Sequence, residues 1–115
     1  MLTKELRAAV LALSEELKKD ERYIRLMETR HELEQSDLAA RVDKNRKEYM
    51  ELLKAGNEDG NLFYRQKDFM NEREDIFSDK SARNFYRAEI AFAALFRELE
   101  EEFIRAAELK GIEQI

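Results

Sequence analysis

Few residues in this chain have the types and spacing that chemistry needs. Glu28-Thr29-Arg30-His31 has the Glu-x-x-His spacing with which carboxylate-bridged di-iron bundles project two ligands from one helix. Such sites take two of these pairs and further glutamates. The chain has 1 histidine, so a two-histidine site could form only across two copies. His31-Glu32 is not followed by the second histidine that the zinc-protease helix requires. Asn57-Glu58-Asp59-Gly60 has the composition of a calcium loop, yet its first ligand would be Ala55 and its twelfth Gln66, and neither suits those positions. With 3 glycines no Gly-rich phosphate cradle exists. Ser14, Ser36, Ser78 and Ser81 fall in helical or capping contexts, without the base that activates a serine nucleophile. There is no cysteine, which excludes disulfides, thiolate zinc sites, cysteine-bound iron–sulfur clusters and a thiol nucleophile. The expectation is a protein that is not an enzyme and needs no metal or organic cofactor.

The elements that would carry any function are helices. A length of 115 residues predicts one domain, and hydrophobic residues at 43% supply a modest core. Charged residues reach 41%, with both signs mixed to a net −5; with periodic apolar positions between them, that argues for solvated helices and against disorder. Proline is absent, so nothing breaks long helices. Five segments can be read. The first covers 3–18, with Leu6, Ala9, Val10, Leu13 and Leu17 on one face. Asp20 caps the second, with Tyr23, Ile24, Met27 and Leu33 inward. Ser36 starts the third, which carries Leu38, Val42, Tyr49, Leu52 and Leu53 and ends at Gly56. A loop at 56–60 precedes the fourth, which holds Leu62, Phe63, Phe69, Met70, Ile76 and Phe77. Ser78 caps the fifth and longest, 79–110, stopped by Gly111. The predicted fold is all-α, an antiparallel bundle of about five helices with a long C-terminal helix, dimeric. The longest apolar run, Ile90 to Phe96, is far short of the twenty or so residues of a membrane span. The first residues lack the apolar stretch of a signal peptide. The expected location is the cytoplasm, with no membrane contact.

The last helix predicts a partner. Phe85, Glu89, Phe92, Phe96, Leu99, Phe103 and Ala106 alternate steps of four and three, a heptad seam with one acidic member. Around it Ile90 to Phe96 is apolar on every side, and a helix apolar all round is surrounded. A second copy is the economical cover, with Leu95 at the flank of the interface. Glu89 is expected at the seam's edge or paired with Arg30 or Arg73. On the same helix Lys80, Arg83 and Arg87 share a face three and four residues apart. They are the candidate basic face for a partner and the only basis for an alternative function, direct binding of nucleic acid. A sequence pI near 5.1 opposes it, because the net field repels phosphate.

Ser36-Asp37-Leu38-Ala39-Ala40-Arg41 and Ser78-Asp79-Lys80-Ser81-Ala82-Arg83 share S-D-x-x-A-R, which serine capping with aspartate at the positive helix end accounts for, or else an old two-half architecture. Three stretches resemble a known family: Leu17-Lys18-Lys19-Asp20-Glu21-Arg22-Tyr23, an acidic-then-tyrosine helix start; Leu33-Glu34-Gln35-Ser36-Asp37-Leu38-Ala39-Ala40-Arg41, a break between helices; and Ser78 to Glu89, the entry to a long last helix. Together they resemble the YlbF/YmcA family of small helical bacterial proteins over roughly residues 6–108. The resemblance implies a helical, dimer-forming regulatory protein; some members of that family act with partner proteins on ribonuclease Y, affecting RNA processing, competence, sporulation and biofilm formation. The family's cysteine-bound clusters do not carry over to a chain without cysteine. It implies no catalytic residues. The sequence thus predicts a regulatory adaptor that works through protein–protein contacts.

Overall fold

A computed structural model of the chain describes residues 1–111. These are all-helical, with no strand among them. Six helices follow in order: α1 (Lys4–Leu17), α2 (Glu21–Glu34), α3 (Ala39–Lys54), α4 (Leu62–Glu72), α5 (Glu74–Phe77) and α6 (Lys80–Ala106). No helix is long and apolar enough to cross a membrane.

Local chemistry sets the boundaries. Thr3 caps α1 by accepting a hydrogen bond from the Leu6 amide at 3.1 Å, and Asp20 caps α2 through the Arg22 amide at 2.8 Å. Before α3, the Ser36 hydroxyl donates to the Leu33 carbonyl and accepts from the Leu38 amide. That turn delays the helix to Ala39. Gly56 follows the end of α3 at φ 74, in the left-handed region that glycine enters without steric cost.

Three expectations about boundaries are corrected. The predicted fourth helix is broken at Arg73, whose φ of −117 leaves helical geometry, so it becomes α4 and α5. Asp79, and not Ser78, caps α6: its carboxylate accepts from the Ala82 amide at 2.9 Å, while Ser78 donates to the Glu74 carbonyl. The two S-D-x-x-A-R copies therefore do different local work. Finally, α6 stops at Ala106, ahead of Gly111. Glu108 sits at φ 58, and the amides of Glu108 and Leu109 bond to the carbonyls of Arg105 and Ile104. That is the double closure of a Schellman end, here built on a glutamate.

The contacts divide the chain into two compact units. Unit 2, Thr29–Tyr86, holds most of the core: Leu33 and Val42 are fully buried, with Phe69, Ile76, Ala82 and Phe85. Two polar residues, Thr29 and Asn45, are buried among them. Helix α4 turns Leu62, Arg65, Gln66 and Phe69 toward the interior and leaves Phe63 and Met70 outside. Phe63 instead meets Tyr64 edge-on. Arg65 fastens the 56–60 loop by donating to Asp59 and to the Gly56 carbonyl. Unit 1 consists of Met1–Glu28 and the chain from Arg87 onward.

Candidate interaction surface

Unit 1 has an unusual balance of buried and exposed side chains. Ala88 and Leu95 are its only buried apolar residues among those described. Helix α1 buries none of its residues. The apolar face of α1 that the spacing marks out, Leu6, Val10 and Leu13, is more than half exposed at every position, and Leu2 and Leu11 are open as well; Leu17 alone is half-buried. On α2, Ile24 and Met27 are exposed against expectation. On α6, Ile90 is 70%, Phe96 49% and Phe103 64% exposed. These ten side chains are of the kind that belongs in a core, and soluble monomers rarely leave so many open.

Within unit 1 the ordered contacts join α2 to α6. The Tyr23 and Phe92 rings lie 6.3 Å apart, tilted by 58°, and Phe92 leads on to Phe96 at 6.3 Å. Arg22 donates to Glu98 at 3.4 Å and to Asp20 at 3.1 Å. The hydrogen bonds from Arg22 hold the Asp20 carboxyl below its ordinary value, and the same ion pair raises Arg22. That side of α2 is fixed, while α1 has no comparable side-chain tie to another helix among the described residues.

The predicted seam residues therefore separate. Phe96 and Phe103 are open, Glu89, Phe92 and Leu99 are half-buried, and Phe85 and Leu95 are buried. Phe85 belongs to unit 2, where the guanidinium groups of Arg30 and Arg46 stand 5.5 and 5.6 Å from its ring centre. It has no surface left for a partner. Leu95 is likewise corrected from flank to core. The buried line of α6 runs through Phe85, Ala88 and Leu95; spacing alone favoured the bulky Phe96. Arg30 is committed to Glu34 and Asp43, and Arg73 to Glu48 and Glu72.

Lys80, Arg83 and Arg87 are all exposed, and none forms an ion pair among the described residues. The described residues contain no group of three or more potential ligands able to hold a metal ion. A cleft of about 310 Å³ in unit 2 is lined by Arg41, Lys44, Asn45, Glu48, Glu72 and Arg73 among others, but its charges answer one another: Arg41 pairs with Asp75 and Arg73 with Glu48. No nucleophile with a base is present there. The chemistry this surface offers is apolar association. Comparison with known protein families, with curated proteins and with solved structures finds no match to this chain.

Proposed function

We propose that the chain is a non-enzymatic regulatory adaptor that works through protein–protein contacts, with the apolar face of unit 1 as its contact surface. One observation carries this: of all the apolar residues described in unit 1, only Ala88 and Leu95 are buried. Ordering a residue costs about 1 kcal/mol or more, and fully burying a leucine returns roughly 2 kcal/mol. A helical unit with so little buried gains the rest of its stability from what it binds. The partners are a second copy, in an antiparallel helical bundle that Phe96 and Phe103 help to close, and further proteins. The resemblance to the YlbF/YmcA family suggests which proteins to try, namely ribonuclease Y and the bacterial regulators that act with it.

The test uses the whole chain, immobilised, with purified ribonuclease Y as probe. Saturable binding that Phe96→Glu abolishes supports the proposal. Absence of binding to that enzyme removes the ribonuclease role, and a stable monomer whose stability Phe96→Glu leaves unchanged removes the contact surface itself. The exposed, unpaired Lys80 and Arg83 favour one alternative, direct binding of nucleic acid. A salt titration separates the two: RNA affinity that falls steeply with added salt supports the alternative.

A further inference from the structure

The loop at 56–60 joins α3 to α4 and carries a reactive main-chain pair. Asp59 alone among the aspartates is followed by glycine, and no asparagine is. We propose that Asp59-Gly60 is a site of spontaneous isoaspartate formation and that Arg65 sets how fast it forms. In this reaction the Gly60 amide nitrogen attacks the carboxyl carbon of the Asp59 side chain. A C–N bond forms, and the carboxyl hydroxyl leaves as water with the amide proton, which closes a five-membered imide. Water then opens the ring. Opening at the side-chain carbonyl restores aspartate, and opening at the main-chain carbonyl routes the backbone through the side chain. Water is the sole co-reactant, and nothing is oxidised or reduced.

The loop presents the reacting groups to each other. A side chain on the residue after aspartate would crowd the attacking nitrogen, and glycine has none. The space about Gly60 is open, with nothing within 4 Å of where a Cβ would stand. Residues 57–61 are all exposed, so water reaches the ring. Asp59 Oδ1 accepts from the Asn61 amide at 3.0 Å, a turn that folds the carboxyl forward along the Gly60 peptide. Arg65 opposes the reaction. Its Nη1 donates to both Asp59 oxygens at 2.9 and 2.7 Å, and its Nη2 to the Gly56 carbonyl at 2.6 Å. Only the acid form has a hydroxyl to lose as water. The hydrogen bonds from Arg65 favour the charged form and hold the Asp59 carboxyl below its ordinary value, so the reactive form is scarce at neutral pH. The Gly60 amide also donates to the Asn57 carbonyl at 3.1 Å, a bond that imide closure must break. The product adds one carbon to the main chain between α3 and α4, within the loop that Arg65 fastens.

The test ages the whole chain in warm, mildly acidic buffer. Isoaspartate is counted with an isoaspartyl methyltransferase and a labelled methyl donor, and located by peptide mass mapping. It is expected at Asp59, forming severalfold more slowly in the folded chain than in guanidinium chloride. Arg65→Met is expected to raise the folded rate severalfold. Arg65→Lys keeps a cation beside the carboxylate and is expected to stay close to the unmutated rate. The folded rate should also climb as pH falls from neutral, because the acid form becomes commoner. Absence of isoaspartate at Asp59 even in the denatured chain would overturn the site. A folded rate equal to the denatured one, or unmoved by Arg65→Met, would overturn the role of Arg65. Where circular dichroism shows Arg65→Met unfolded, the pH profile of the unmutated chain decides: a rate that does not rise with acid would mean that protonation of Asp59 is not limiting, and would overturn the proposal.

Discussion

The guanidinium carbon of Arg73 lies 3.7 Å from the centre of the Phe69 ring, and the same group donates to the Phe69 carbonyl at 3.2 Å. From there it reaches the Asn45 amide oxygen at 3.2 Å and the Glu48 carboxylate, tying α4 to α3 at the break before α5. A planar fork over a ring does what an ammonium cannot. Arg73→Lys is expected to cost about 1–2 kcal/mol and Arg73→Met about 2–3 kcal/mol, read as a lower urea midpoint with an unchanged slope. A double-mutant cycle with Phe69→Leu isolates the stacking, expected at about 0.5–1 kcal/mol. Additive single effects would mean that the ring contributes nothing beyond its burial.

Leu95 and Phe96 are neighbours with opposite roles. Leu95→Ala is expected to destabilise by about 2–4 kcal/mol at any protein concentration. Phe96→Glu should leave the helix signal in place while abolishing the concentration dependence of Tm, since a residue that is 49% exposed matters mainly when something covers it. Thermal melts across a hundredfold range of protein concentration check both. Equal behaviour of the two variants would contradict the placement of either residue.

Acid should weaken the fold through four aspartates. Hydrogen bonds from Arg22, Arg30, Arg65 and Arg41 hold Asp20, Asp43, Asp59 and Asp75, respectively, below the ordinary value of 3.8. A carboxyl depressed in the folded state binds its proton more readily when unfolded. Its stabilisation is therefore complete above pH 3.8 and is lost as pH falls through the lower folded value. The pairs are largely solvent-exposed, so each effect is small. Tm is expected to be flat from pH 7 to about 5 in this respect and to fall below about 4. Arg30→Gln, which frees Asp43, should lessen the fall; the same fall in that variant would exclude Asp43 as a source.

At the end of α6, Glu108 holds a left-handed conformation at φ 58 without the freedom of glycine. Glu108→Gly removes that strain and is expected to stabilise by roughly 0.5–1 kcal/mol, whereas Glu108→Val should destabilise. Urea unfolding of the two variants measures the difference, and a loss of stability in the glycine variant would refute the Schellman end.

Helices were legible in the sequence because apolar spacing, caps and the lack of proline all point the same way. Asp20 and Gly56 act where the pattern puts them. Position within the fold was harder to read. A periodic face shows that a residue wants cover but not whether its own chain supplies it, and Leu6, Val10 and Leu13 are open. Thr29 and Asn45 are polar and escaped notice, although both are buried; Asn45 is held there by Arg73, a partner 28 residues away. On α6 the heptad pattern found Phe96 and Phe103, which are open. It did not include Leu95, which is buried.

Unit 1 joins the first helix of the chain to the last, and this fixes an order of events during synthesis. Residues 29–86, which form the other unit, leave the ribosome in between. At about 5–20 residues per second, α1 waits several seconds for α6. For that time it is a fourteen-residue helix with its leucines open, too short to be stable by itself in water.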